Sequence, residues 1–173
     1  MVKKVTVNTL QKCKNNNEKF SVLTAYDYST AKYLDEAGID VILIGDSLAM
    51  VALGYETTHS IGIDEMAIFT RAVSKGVERA FVITDMPFLS YHTNISDAVK
   101  NCGMMIKLGA NAVKIEGYGE YIVEVVKRLT QSGIPVVSHL GFTPQFINTL
   151  GGYKIQGKTQ EASEELLKQA KEM

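Results

Sequence analysis

Residues 80–116 read AFVITDMPFLSYHTNISDAVKNCGMMIKLGANAVKIE. A β-branched apolar run, Ala80-Phe-Val-Ile-Thr-Asp85, is followed by an amphipathic run from Ser96 to Leu108, with Ser96 as its expected cap. Then come Gly109 and a second apolar run, Ala112-Val-Lys-Ile-Glu116. Short buried strands joined through a helix that stops at a glycine are the pattern of a βαβ unit with parallel strands. The same alternation extends both ways. Upstream lie Phe20–Tyr26 and Asp40–Asp46, with helical patterns at Tyr28–Ala37 before Gly38 and at Asp64–Lys75 before Gly76, where Asp64 is the expected cap. Downstream lie the helical run Glu120–Gln131, the strand run Ile134-Pro-Val-Val-Ser-His139 and a charged helix from Glu161 to Met173. Asn15-Asn-Asn17 reads as a turn into the first strand, and the loops 47–62 and 140–158 are long for such connections. Five βα units in 173 residues fit one domain, 1–173. On length alone they fit an open, doubly wound sheet better than a (β/α)8 barrel, which needs about 250 residues.

The composition, 46% hydrophobic and 21% charged with a formal net charge of -1, is that of an ordinary globular domain. A near-neutral chain lacks the basic face of a nucleic-acid binder or of a polybasic membrane-surface protein. No run approaches the roughly 18–20 apolar residues of a membrane span, and no apolar stretch of signal-peptide type follows the basic start. A cytoplasmic location is expected, with Cys13 and Cys102 as reduced thiols; Cys102 falls in a helical pattern and reads as packing.

Four of the five strand runs end in a group able to ionise or bind metal: Asp46, Asp85, Glu116 and His139. Parallel strands place their carboxyl ends on one rim, where α/β proteins bind ligands. Each acid taken singly can be a helix cap. Three together on one rim would repel one another unless a cation lay among them, and hard oxygen ligands suit Mg2+, with Mn2+ and Co2+ also compatible. Lys114 is two residues before Glu116, so both side chains leave the strand on one face. It either pairs with a neighbouring carboxylate or holds a substrate anion. Ser47, after Asp46, offers a hydroxyl for the same purpose, while His59 and His92 lie in loops on that rim. Phosphate-binding glycine motifs, HExxH and the Gly-x-Ser-x-Gly elbow are absent from the sequence.

Six blocks, in order, carry a specific resemblance. They are Thr24-Ala-Tyr-Asp-Tyr-Ser29, Ile44-Gly-Asp-Ser-Leu48, Asp85-Met-Pro-Phe88, Val113-Lys-Ile-Glu-Gly117, His139-Leu-Gly-Phe-Thr-Pro-Gln145 and Gly151-Gly-Tyr-Lys-Ile-Gln-Gly157. From about Thr9 onward the chain resembles the ketopantoate hydroxymethyltransferase family of pantothenate biosynthesis. The resemblance implies a (β/α)8 TIM barrel of the phosphoenolpyruvate/pyruvate superfamily, of which about five units are present, in place of the open sheet. It implies transfer of a hydroxymethyl group from 5,10-methylenetetrahydrofolate to 3-methyl-2-oxobutanoate, giving 2-dehydropantoate, with Mg2+ stabilising the enolate. It maps the metal site onto Asp46, Asp85 and Glu116, directly or through water, and substrate contacts onto Asp46, Ser47, Asp85 and Lys114. His139 matches a histidine near the family's active site. A homo-oligomer is implied, a decamer in the family, with small-molecule 2-oxo acid and folate as the partners.

The family's general base is a glutamate on the strand after the fifth, so no catalytic base is assigned here. The chain is therefore expected to be the N-terminal part of a longer protein, with open sheet edges at its first and fifth strands. The competing readings are a Mg2+-dependent 2-oxo acid lyase or mutase of the same superfamily, a phosphoreceiver with Asp85 as acceptor, and a non-catalytic fragment.

Overall fold

The computed structural model describes residues 3–173. Five parallel strands, β1 (Val22–Thr24), β2 (Val41–Ile44), β3 (Phe81–Asp85), β4 (Ala112–Glu116) and β5 (Val136–His139), lie side by side in sequence order. A doubly wound sheet would reverse direction at a switch point. Here every crossover steps one strand the same way, which is the winding of a barrel sector. The open sheet expected from length is thus overturned: strand order, not residue count, separates the two architectures.

The two faces of the sheet divide the core. Ile42, Ile44, Val82, Val113 and Ile115 pack outward against Ala31 of α2 (Tyr28–Glu36), Met66 and Val73 of α4 (Ile63–Gly76), Cys102 and Met105 of α5 (Ile95–Lys107), and Val125 and Leu129 of α6 (Glu120–Gln131). The alternate residues Val41, Phe81, Ile83 and Ala112 form a separate inner cluster. Helix α1 (Val7–Asn15) closes it from below through Leu10, with Val5 buried beside it and its N–H donated to the Arg79 carbonyl at 2.9 Å. Continuing that inner parity up β4 leads from Ala112 to Lys114 and Glu116, so one face runs from apolar at the bottom to charged at the top.

Local departures from expectation lie at element ends. Helix α1 itself was not anticipated. It begins at a Thr6/Thr9 capping box and takes in Asn15, leaving the turn at Asn16-Asn17, where Asn17 adopts φ 56°. Gly62 rather than Asp64 caps α4, because Glu65 reaches back to its N–H at 2.9 Å. Asn94 rather than Ser96 caps α5, its side chain accepting from the Asp97 N–H. After the short α7 (Ile147–Leu150), the charged helix α8 (Gln160–Glu172) buries no residue, and β1 is exposed along its length, as Val22 and Leu23 at 47% show.

Cys102 is fully buried, and burial pushes its thiol up to about 12. Only the thiolate alkylates readily. Iodoacetamide at pH 8 is therefore expected to label half-exposed Cys13 and spare Cys102 in the native protein, with both reacting in urea. Equal labelling of the two in peptide mass spectra under native conditions would contradict this packing.

Candidate functional site at the carboxyl rim of the sheet

The top of the inner face gathers the acids that the sequence singled out. Asp85 and Glu116 are the last residues of β3 and β4, and Asp46 lies two residues past β2; all three are at most 3% exposed. Parallel register sets Asp85 beside Lys114 and Glu116 beside His139. Lys114 Nζ lies 2.7 Å from each Asp85 carboxylate oxygen, so the lysine has an internal partner. Asp85 Oδ2 also accepts the Asp46 backbone N–H at 3.1 Å. His139 Nδ1 is 2.7 Å from Glu116 Oε1.

None of the three acids caps the helix that follows its strand. Ser47 occupies the cap of the short α3 (Leu48–Val51) without a side-chain capping bond, and Asn94 serves α5. Gly119, likewise without a side-chain bond, serves α6. Ser47 Oγ instead lies 2.9 Å from the hydroxyl of Tyr26, just past β1. That placement needs Gly45, since a Cβ there would stand 2.8 Å from Ser47 Oγ and 3.6 Å from Asp85 Oδ2. Gly117, at φ +100°, is required on the other side: its Cβ would meet the Phe146 ring at 2.7 Å.

Sequence reasoning missed the residue at the centre. Gln145 lies in a short 3-10 turn, Pro144–Phe146, after β5, and is 3% exposed. Its Nε2 donates to Asp46 Oδ2 and to the Met86 carbonyl, both at 2.8 Å, and its backbone N–H donates to Glu116 Oε2 at 3.1 Å. The Tyr91 hydroxyl, also buried, lies 2.9 Å from Gln145 Oε1. His59 Nε2 lies 2.8 Å from the Gln145 carbonyl, which can only accept, so Nε2 carries the proton. His92 stacks on Tyr91 with ring centroids 4.0 Å apart, and burial lowers its affinity for a second proton. The signal for Gln145 was its place at the end of a resemblance block; nothing in local periodicity marks an amide in a loop.

Burial foremost, then the neighbouring Asp85 charge, pushes Asp46 up to about 7, against the Gln145 hydrogen bond. Burial likewise raises Asp85, opposed by Lys114. With Glu116 paired to His139, Asp46 and Asp85 share the one lysine and are short of positive charge. Moreover, Asp85 Oδ1, although in ion-pair range of Lys114, accepts no hydrogen bond. These residues fit a hard divalent cation among Asp46, Asp85 and water. Glu116 joins Asp46 through Gln145 rather than directly, and among the described residues no three His, Cys, Asp or Glu side chains already converge at metal-ligand spacing.

Comparison with known proteins bears out the fold. The chain superposes on phosphonopyruvate hydrolase, solved with oxalate and Mg2+, at TM-score 0.70 with 13% identity, covering 96% of this chain and 59% of that one. It superposes on 2,3-dimethylmalate lyase, a PEP mutase/isocitrate lyase superfamily member, at TM-score 0.64 with 18% identity, covering 99% and 59%. Sequence relatives are nearer. The 3-methyl-2-oxobutanoate hydroxymethyltransferase of Clostridium novyi (strain NT) is 53% identical over 171 residues, covering 98% of this chain and 62% of the relative. That of Acetivibrio thermocellus is 52% identical over 168 residues, covering 96% and 59%. The chain thus spans about three-fifths of the length of the curated relatives it matches. A family model described as ketopantoate hydroxymethyltransferase matches residues 4–173. The chain belongs to the ketopantoate hydroxymethyltransferase family.

Proposed function

We propose that residues 1–173 form the N-terminal part of a single barrel domain that binds the metal and the 2-oxo acid of a 3-methyl-2-oxobutanoate hydroxymethyltransferase. The co-substrate is 5,10-methylenetetrahydrofolate and the product 2-dehydropantoate. The observation that carries this reading is the buried Asp46–Asp85–Lys114 cluster at the barrel mouth of a chain in this family.

Asp46, Asp85 and Glu116 would hold the cation, directly or through water. A Mg2+ held there would supply Lewis-acid polarisation of the keto group of the 2-oxo acid. Lys114 is already paired with Asp85, so it turns part of its charge toward the substrate carboxylate without being newly desolvated. Ser47, oriented by Tyr26, donates to the same carboxylate and thereby fixes the direction of C3. Loops bearing His59, Phe88, His92 and Phe146 pack ring against ring over the rim and help exclude water from the one-carbon unit. No residue of the chain is assigned to proton abstraction. The reading further places the protein in the cytoplasm as a homo-oligomer with no nucleic-acid or membrane partner; among the described residues no helix is long and apolar enough to cross a membrane.

The test is an assay of the complete gene product with 3-methyl-2-oxobutanoate and 5,10-methylenetetrahydrofolate, followed by mass spectrometry. Formation of 2-dehydropantoate that needs both substrates and stops with EDTA is expected. Folate-independent cleavage of a 2-oxo acid, with no hydroxymethylated product, would favour the superfamily's lyase chemistry instead.

A further inference from the structure

Every hydrogen-bonding atom of Gln145 is engaged, and its partners come from three other βα units. Its N–H holds Glu116 at the end of β4 and its carbonyl meets His59 from the loop after β2. Its Nε2 holds Asp46 after β2 and the Met86 carbonyl after β3, while its Oε1 meets Tyr91 from the loop after β3. The amide can sit only one way round. Both Nε2 neighbours are pure acceptors, and the Oε1 neighbour is a hydroxyl able to donate. Tyr91 is itself fixed, because its hydroxyl also lies 3.2 Å from the Glu116 N–H and 3.1 Å from the Glu116 carbonyl. A solvated loop glutamine has no need of such anchorage, and burying a carboxamide without all its bonds would be costly.

We propose that Gln145 is a positioning residue of the metal site: through Asp46 and Glu116 it fixes the directions of two carboxylates from different strands, and Tyr91 fixes Gln145. The proposal rests on the metal reading given above. Its physical content is preorganisation. Asp46 Oδ2 is tethered to Gln145, so Oδ1 is the oxygen left to turn toward a cation, while the Gln145 N–H on Oε2 and His139 Nδ1 on Oε1 together fix the plane of the Glu116 carboxylate. Without these bonds Asp46 would sample several rotamers and Glu116 would be held by His139 at one oxygen only, and the cation would have to order them on binding.

The experiment uses the complete gene product stripped of metal and titrated with Mn2+, followed by electron paramagnetic resonance and calorimetry. Gln145→Met keeps the side-chain length and removes its hydrogen bonds; its Mn2+ affinity is expected to fall about 10-fold or more. Tyr91→Phe keeps the ring and frees the amide, and its affinity is expected to fall less, in the same direction. The double variant should bind no worse than Gln145→Met, as expected for two residues acting through one link. A loop clasp with no bearing on the metal would lower the unfolding midpoint of the variants while leaving Mn2+ affinity unchanged, and that result would overturn the proposal. Should Gln145→Met fail to fold, an unchanged affinity in Tyr91→Phe overturns it equally. Failure of the unsubstituted protein to bind Mn2+ at all would instead sink the metal reading beneath it, which separates the two.

Discussion

A Lys114→Met protein, free of metal, is expected to lose about 3–5 kcal/mol of stability, the cost of leaving a buried carboxylate without its partner. Lys114 touches both oxygens of Asp85, and the two side chains are only 15% and 5% exposed. Methionine matches the stem but supplies no charge. Asp46, Asp85 and Glu116 would then share the rim with no lysine among them. Urea unfolding by circular dichroism measures the loss. Two additions make the cause testable. Saturating Mg2+ should restore part of the stability, because a cation bound only by the folded state stabilises it by mass action. Asp85→Asn in the Lys114→Met background should also restore part of it, since it removes the carboxylate that lost its partner. A midpoint unmoved by Lys114→Met would show that the acids are compensated elsewhere and would remove the charge argument for a metal.

Asp85→Asn in the otherwise unaltered complete gene product is expected to give the largest loss of catalysis, about 10³-fold in kcat/KM for the proposed hydroxymethyl transfer. That corresponds to about 4 kcal/mol of transition-state stabilisation, in the range of one preorganised electrostatic contact at a water-excluded site. Asparagine can still accept the Asp46 N–H, but it turns an uncharged amide toward Lys114 and gives a metal one anionic oxygen fewer. Steady-state assay across Mg2+ concentrations separates the effects: a loss repaired by high Mg2+ is weakened binding, and a loss that persists is weakened stabilisation of the reacting oxygen. Retention of more than a tenth of the activity would exclude Asp85 from the ligand set.

The acids were legible because strand ends are legible. A β-branched run that stops in Asp or Glu places that carboxylate at the rim whatever the helices do, and the i, i+2 relation of Lys114 to Glu116 fixed their shared face. The number of strands and their parallel sense followed from the glycine-terminated helices. Strand order did not, because hydrophobic periodicity is the same in a singly and a doubly wound sheet. Gln145 and Tyr91 were out of reach for a different reason. They meet Asp46 and Glu116 across 99 and 25 residues of sequence, through loops that carry no period, and a lone amide or phenol looks the same whether solvated or buried. Helix α1 was hidden by composition, since a run of Lys, Gln and Asn reads as loop until its one apolar contact, Leu10, finds the bottom of the barrel.

Each strand pairs with the one made just before it, and this has a bearing on how the rim is built during translation. A nascent chain leaving the ribosome can add β3 to β2 and β4 to β3 without waiting for distant sequence. Asp46, Asp85 and Lys114 can thus come together before the segment bearing Gln145 has packed over them. In that interval the lysine holds Asp85 and Asp85 in turn holds the Asp46 backbone, so the ion pair acts as scaffolding for a centre whose last fastening arrives late.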